Sequence, residues 1–80
     1  MIDDAIRELE RAAQLLQDDP IIHEHLGDAY HKKGLLEKAI EHYQYSLELE
    51  FREEVNQKLD AVMSEQKSVQ NHTTDKKETP

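Results

Sequence analysis

Five histidines and eighteen carboxylates are the side chains in this sequence that could take part in acid–base or metal chemistry. A metal site needs ligands that converge on one point, but His23 and His25 lie two residues apart and point to different sides of a helix. Glu24, Asp28 and His31 share one helical face without the fixed geometry of a dedicated site. We therefore expect no cofactor and no resident metal, and a weak metal-responsive binder built from histidines and acids is kept only as an alternative.

No catalytic arrangement is recognisable among the remaining polar residues. The chain contains no cysteine, so it has no thiol nucleophile, disulfide or cysteine-based zinc site. Neither a Ser-His-Asp arrangement nor a glycine-rich phosphate loop is discernible. The acid pairs Asp3-Asp4 and Asp18-Asp19 lie at the ends of expected helices, where capping explains them. We expect a protein that is not an enzyme.

The charge balance restricts the class of partner. Among 80 residues, 18 Asp and Glu oppose 10 Lys and Arg, which gives a net charge of −8. Nucleic acids and anionic membrane surfaces select basic proteins. No apolar run approaches the ~18 residues of a membrane-spanning helix, and the first residues do not resemble a signal peptide. These features predict one small cytoplasmic domain that binds neither nucleic acid nor membrane.

Apolar residues recur with helical periodicity in three stretches and, less distinctly, in a fourth. The four stripes are Ile2, Ile6, Leu9, Ala13 and Leu16; Ile22, Leu26, Ala29 and Tyr30; Leu36, Ala39, Ile40, Tyr43, Leu47 and Phe51; and Val55, Leu59, Val62 and Met63. Asp19 before Pro20 is typical of a helix start, and Gly34 is typical of a helix end. The pattern predicts helices over about 2–17, 20–33, 37–50 and 53–67 within a domain of residues 1–67. Residues 68–80 are predicted to be a disordered polar tail, since Val69 is their only apolar member.

A shift of 34 residues places the first predicted helix on the third. Large side chains then meet large ones and small meet small: Ile2 falls on Leu36, Ile6 on Ile40, Ala5 on Ala39 and Ala12 on Ser46. A small residue is needed where two helix backbones approach closely, and a large one where a gap must be filled. This agreement indicates an internal repeat of two helices.

The repeated unit resembles the tetratricopeptide family, whose period is also 34 residues. The residues that carry the resemblance are His23-x-x-Leu26-Gly27-x-x-Tyr30, then Gly34, then Ala39-x-x-x-Tyr43. The resemblance covers one repeat over about 20–49, preceded by the second helix of another. Two positions depart from the family pattern: His23 occupies the usual tryptophan position, and Phe51 replaces a closing proline.

This resemblance implies an all-α, tetratricopeptide-type antiparallel helix-turn-helix array of about four helices, the last of which caps the array. The motif residues are then structural rather than catalytic. Gly27 and Ala39 are predicted to mark the closest approach of the second and third helices, because a larger side chain there would push them apart. Tyr30 and Tyr43 are expected to fill the space beside that contact.

The resemblance also implies a partner-binding surface on the first helix of the repeat. The residues expected to face it are Ile21, Glu24, Asp28 and His31, with Lys32 near the edge. Their spacing places them on one helical face. Acids at these positions would repel the C-terminal carboxylate that some members of the family bind, and they favour a basic or amphipathic peptide. The sequence therefore predicts a protein–protein interaction module or scaffold.

Self-assembly is the alternative function. The first apolar stripe spans more surface than one neighbouring helix can cover, so part of it is expected to face water. A longer array or a second copy of the chain would cover it, and a two-fold pair is the simplest closed arrangement. The predicted oligomer interface consists of Ile2, Ile6, Leu9, Ala13 and Leu16.

Overall fold

The chain forms a linear series of helices in which each one packs on its neighbours along the sequence. The computed structural model describes the backbone of residues 1–78 and the side chains of residues 1–68. The helices are α1 (Ile2–Leu15), α2 (Pro20–Lys33), α3 (Leu36–Leu49) and α4 (Glu53–Glu78). The contacts that join them run mainly from α1 to α2, α2 to α3, and α3 to α4. The all-α class and the number of helices predicted from the sequence are confirmed.

Local sequence signals determine both ends of α2. The side chain of Asp19 accepts hydrogen bonds from the backbone N–H of Ile21 at 2.9 Å and of Ile22 at 3.4 Å, and Pro20 occupies the first turn. At the other end Gly34 has a φ of 90°, the left-handed conformation that favours glycine. The N–H of Gly34 donates to the carbonyl of His31, and that of Leu35 donates to the carbonyl of Tyr30. This is the Schellman pattern, which satisfies carbonyls at a helix end.

The last helix extends beyond its predicted end. The sequence indicated that α4 stops near residue 67 and that 68–80 is disordered, but α4 is helical as far as Glu78. The prediction relied on the lack of apolar residues, which removes tertiary packing but does not itself terminate a helix. Residues 53–78 contain no glycine or proline, the two residues that most strongly interrupt a helix. Residues 79–80 lie outside the described part of the chain.

The core is formed by the inner faces of all four helices. Its buried apolar members are Ile6, Leu26, Ala29, Tyr30, Ala39, Tyr43, Val55, Leu59 and Val62. Three members of the predicted stripes are exposed instead, namely Leu16, Phe51 and Met63. Leu16 and Phe51 lie just beyond the ends of α1 and α3, where the helical register no longer directs the side chain inwards. Met63 follows the fully buried Val62 and therefore lies on the outer side of α4.

Gly27 leaves room for the ring of Tyr43 where α2 packs on α3. A Cβ atom on Gly27 would lie 2.6 Å from both Cδ1 and Cε1 of Tyr43, which is closer than such atoms can approach. Ala39 and Tyr43 are almost completely buried beside this contact. The small residue at position 27 is therefore required by the ring that packs on it. Among the residues described, no helix is long and apolar enough to cross a membrane.

Candidate functional site

The five residues predicted to bind a partner do not form one continuous surface. Asp28 and Lys32 line a shallow depression on α2 together with Ile2, His25 and Ala29. The other three lie elsewhere: Ile21 is exposed at the start of α2, Glu24 is buried, and His31 is half-buried against α4.

Glu24 is held by two cations from the region where α4 begins. Its Oε1 accepts a hydrogen bond from Arg52 at 2.7 Å, and its Oε2 accepts one from Nζ of Lys58 at 2.9 Å. The same Nζ donates to Asp28 at 3.1 Å, and Asp28 also accepts from the hydroxyl of Tyr43. We call Glu24, Asp28, Arg52 and Lys58 the α2–α4 ion cluster. It joins the central helix to the last one.

The pKa values within the α2–α4 ion cluster follow from this pairing. Burial alone would raise the pKa of Glu24, but hydrogen bonds from Lys58 and Arg52 outweigh it and hold the pKa below its ordinary value of 4.5. Burial would lower the pKa of Lys58, but its hydrogen bonds to Glu24 and Asp28 raise it. Burial and the hydrogen bond to Asp28 raise the pKa of the Tyr43 hydroxyl. Glu24 and Lys58 are therefore both charged at neutral pH, and the hydroxyl of Tyr43 beside them keeps its proton.

This arrangement corrects the expected acidic groove. The carboxylate of Glu24 is only 9% exposed and is neutralised by the chain's own cations, so it is not free to attract a basic peptide. His31 likewise lies 3.1 Å from a carboxylate oxygen of Glu65 on α4. The sequence carried a signal for both contacts, since Glu24 and Lys58, and also His31 and Glu65, are separated by 34 residues. One repeat period brings equivalent positions of two helices side by side.

His23, which occupies the position of the usual tryptophan, is buried in a stack of rings. Its ring stacks on that of His42 with 5.4 Å between centroids, and His42 stacks on Tyr30 at the same distance. The rings of Tyr45 and His23 are nearly perpendicular, with 4.5 Å between their centroids. The histidine therefore fills the aromatic position by packing. Among the described residues, no third histidine, cysteine or acid joins this pair to form a group that could hold a metal ion.

The hydrogen bonds of the two histidines fix their tautomers. Nε2 of His23 lies 3.2 Å from the backbone carbonyl of Gln17, which can only accept, so Nε2 carries the hydrogen. Nδ1 of a neutral His23 is then unprotonated and accepts from Nδ1–H of His42, at 3.2 Å.

This pair predicts a loss of stability in mild acid. Burial, followed by the neighbouring His23, lowers the pKa of His42 below its ordinary value of 6.5, against the opposing effect of Glu10 and Glu41. The unfolded chain then binds more protons than the folded chain, so stability is complete above pH 6.5 and declines as the pH falls through the folded pKa. We expect urea midpoints to fall more steeply below pH 6.5 in the wild type than in His42→Gln. The exposed His25 supplies the control, and a decline unchanged in His42→Gln but removed in His25→Gln would contradict the assignment.

The predicted oligomer interface mostly packs inside the chain. Ile6 is buried, with 8% of its surface exposed, so the prediction that it lies at an interface between copies is corrected. The reason is that α2 covers this part of α1. Ile2, Leu9 and Ala13 are partly buried against the core, and Leu16 is 57% exposed.

The remaining motif residues lie at packing positions. Leu26, Tyr30, Ala39 and Tyr43 are in the core, and Gly34 ends α2. The hydroxyl of Tyr30 donates to Glu10 on α1, and burial together with this hydrogen bond raises its pKa to about 12. Tyr30 therefore ties α2 to α1, just as Tyr43 supports the α2–α4 ion cluster.

An apolar hollow that sequence reasoning missed lies where α1 ends and α2 begins. Leu15, Leu16 and Ile21 form its apolar part, and Asp18, Asp19 and Glu50 contribute its acids. We call this set of six residues the corner hollow. The periodicity of α1 assigned Leu16 to the inner face and gave Leu15 no role. Both leucines are exposed because α1 ends at Leu15, so that Leu16 no longer follows the helical register.

Comparison with known families agrees with this architecture. Residues 2–34 match the model of the TPR repeat, a range that spans α1 and α2 and ends at Gly34. The match and the four-helix, all-helical fold fit a TPR-type repeat, so the resemblance inferred from the sequence is confirmed. No curated protein matches the chain.

Proposed function

From the TPR-type repeat in residues 2–34 we propose that the chain is a non-catalytic protein–protein interaction module. It presents a helical surface to a protein or peptide partner and performs no chemistry on it. The family match is the observation that carries this proposal, because repeats of this type generally bind proteins.

The surface is in place before the partner arrives. The α2–α4 ion cluster fixes α2 against α4, and the hydroxyls of Tyr30 and Tyr43 fix it further. A preformed surface loses less conformational entropy on binding than one that must first order. This supports recognition by a rigid face rather than by folding on contact.

The proposed contact residues lie on the exposed side of α2. They include Asp28, Lys32 and His25, which line the shallow depression, together with Ile21 near the start of α2 and His31 near its end. Glu24 is not among them, because its carboxylate is bound to Arg52 and Lys58 and holds α2 against α4. The acid surplus of −8 over the chain favours a basic or amphipathic partner.

Selection of peptides from a random library on the immobilised, folded chain tests the proposal. We expect enriched peptides whose affinity falls several-fold in Lys32→Ala or His25→Ala, because both side chains line the depression. Gln44→Ala, an exposed change on α3, is the matched control. A library that yields no specific peptide, or peptides equally sensitive to all three variants, would contradict the proposal.

Self-assembly is a second candidate, supported by the partial exposure of α1. Ile2, Leu9 and Ala13 are packed against the core but retain solvent-accessible surface on the outer side. Light scattering of the same preparation distinguishes the two functions. A dimer at micromolar concentration that Leu9→Glu dissociates would favour self-assembly over peptide binding.

A further inference from the structure

The corner hollow concentrates exposed apolar surface at one end of the helical array. Leu15 is 77% exposed, Leu16 is 57% and Ile21 is 41%. Together with their neighbours they border an open depression of about 620 Å³. Single exposed apolar residues are ordinary on protein surfaces, but three in one depression resemble a binding site.

The hollow has a well-defined shape because several bonds hold its walls. The backbone N–H of Leu16 donates to the carbonyl of Ala12, and that of Asp19 donates to the carbonyl of Leu16. The hydroxyl of Ser46 donates to the carbonyl of Pro20 at 2.8 Å, which ties α3 to the start of α2. The end of α1, the start of α2 and the end of α3 therefore keep fixed positions around the hollow.

The rim of the hollow is acidic and carries no cation. Its charged residues are Asp18, Asp19 and Glu50, and none of its lining residues is Lys or Arg. Within the part of the chain whose side chains are described, neither Asp18 nor Glu50 lies within 4.0 Å of a cationic side chain. These carboxylates differ from those of Glu24 and Asp28, whose charges the chain itself neutralises. They remain able to attract an external positive charge.

We propose that the corner hollow binds a short basic segment of another protein, with a large apolar side chain seated between Leu16 and Ile21. The apolar floor supplies the contact area, and the acids of the rim select Lys or Arg beside the inserted side chain. This proposal rests on the proposed function and specifies where the partner docks and what its chemistry is. A second copy of the chain is a poor occupant, since a two-fold pair would bring the rim acids of both copies together.

Fluorescence anisotropy with three short labelled peptides tests the chemistry. The first contains leucine and lysine, the second replaces each lysine by glutamate, and the third replaces each leucine by serine. We expect the first to bind at least tenfold more tightly than either of the others, because it alone supplies both the apolar and the basic part. Equal binding of the acidic peptide would overturn the proposal.

Substitutions in the hollow test its location. Leu16→Ser should weaken binding of the first peptide about tenfold, and Asp18→Asn with Glu50→Gln should weaken it several-fold and flatten its salt dependence. Leu35→Ser and Glu37→Gln at the opposite end of α2 and α3 are the matched controls, since Leu35 is as exposed as Ile21. Thermal melts verify that each variant folds. Should Leu16→Ser fail to fold, the rim variant, which removes no packing contact, decides the matter.

Amide shift mapping separates this inference from the proposed function. If the first peptide changes the amide chemical shifts mainly of residues 15–21, the corner hollow is its binding site. Shifts centred on His25 and Lys32 would overturn the hollow while leaving the interaction module intact. Absence of binding would also overturn the hollow, and peptide selection would then judge the module independently. If the wild-type chain forms a dimer and Leu16→Ser dissociates it, the occupant of the corner hollow is a second copy of the chain and the proposal is overturned.

Discussion

Gly27→Ala is expected to lower the free energy of unfolding by about 2 kcal/mol. Overpacking a tight contact costs up to about 3 kcal/mol, and alanine returns about 1 kcal/mol through its higher helix propensity. The steric cost prevails because the new methyl would lie 2.6 Å from two ring atoms of Tyr43. Tyr43 is 1% exposed and its hydroxyl is bonded to Asp28, so the ring cannot swing away. Thermal unfolding should show a fall in Tm of roughly 10 °C.

Two further variants isolate the contact between Gly27 and the ring. Gly34→Ala meets no atom within 4 Å, so it should lose only the ~1 kcal/mol that alanine costs in the left-handed conformation. In a Tyr43→Leu background the ring is absent, and Gly27→Ala should then raise the free energy of unfolding by up to about 1 kcal/mol. A coupling energy below about 0.5 kcal/mol in this double-mutant cycle would show that the contact is misassigned.

Glu24→Gln is expected to lower the free energy of unfolding by about 2 kcal/mol. Removing one partner of a buried ion pair costs about 3–5 kcal/mol, and the partial exposure of its partners reduces this value. Arg52 is 20% exposed and Lys58 is 40% exposed, so both regain some hydration when the carboxylate is lost. Urea unfolding at pH 7 measures the difference. The exposed i,i+3 pair of Arg7 with Asp4 provides the control, since Asp4→Asn should cost less than about 0.5 kcal/mol.

Glu24→Gln is also expected to change how the free energy of unfolding depends on pH in acid. The pKa of Glu24 is lower in the folded chain than its ordinary value of 4.5, so its contribution is complete above pH 4.5 and disappears as the pH falls through the folded pKa. Glu24→Gln lacks this titrating group. The stability difference between wild type and variant should therefore narrow below pH 4.5. A difference that stays constant from pH 7 to pH 3 would mean that the ion pairs do not stabilise the fold.

Local signals were sufficient to predict where most helices begin and end. Asp19 and Gly34 act through bonds to residues only two to five positions away, so a single sequence contains everything needed to recognise them. The predicted end of α4 was wrong, because disorder was inferred from the lack of apolar residues after residue 67. A lack of apolar residues does not end a helix when no glycine or proline interrupts it, and α4 continues to Glu78.

Contacts between distant residues set the limit of prediction for the candidate site. Periodicity placed Glu24 on the face of α2 that was expected to bind a partner. Whether Glu24 is accessible there depends on the positions of Arg52 and Lys58. Neither cation belongs to the repeat motif. The corner hollow was equally hidden, since it exists only because α1 ends before Leu16 and the end of α3 closes on Pro20.

The paired charges one repeat apart have a consequence for how such a chain can grow during evolution. Position 24 is acidic and position 58 is basic, while position 31 is a histidine and position 65 an acid, so equivalent sites on α2 and α4 carry complementary groups. An exact tandem duplication of α2 and α3 would place the two copies of Glu24 side by side, and Lys58 of α4 would then face only the second copy. Lengthening by simple copying would therefore cost the first copy its ion pair with Lys58. New repeats must acquire the opposite charge before they can be accommodated next to α2.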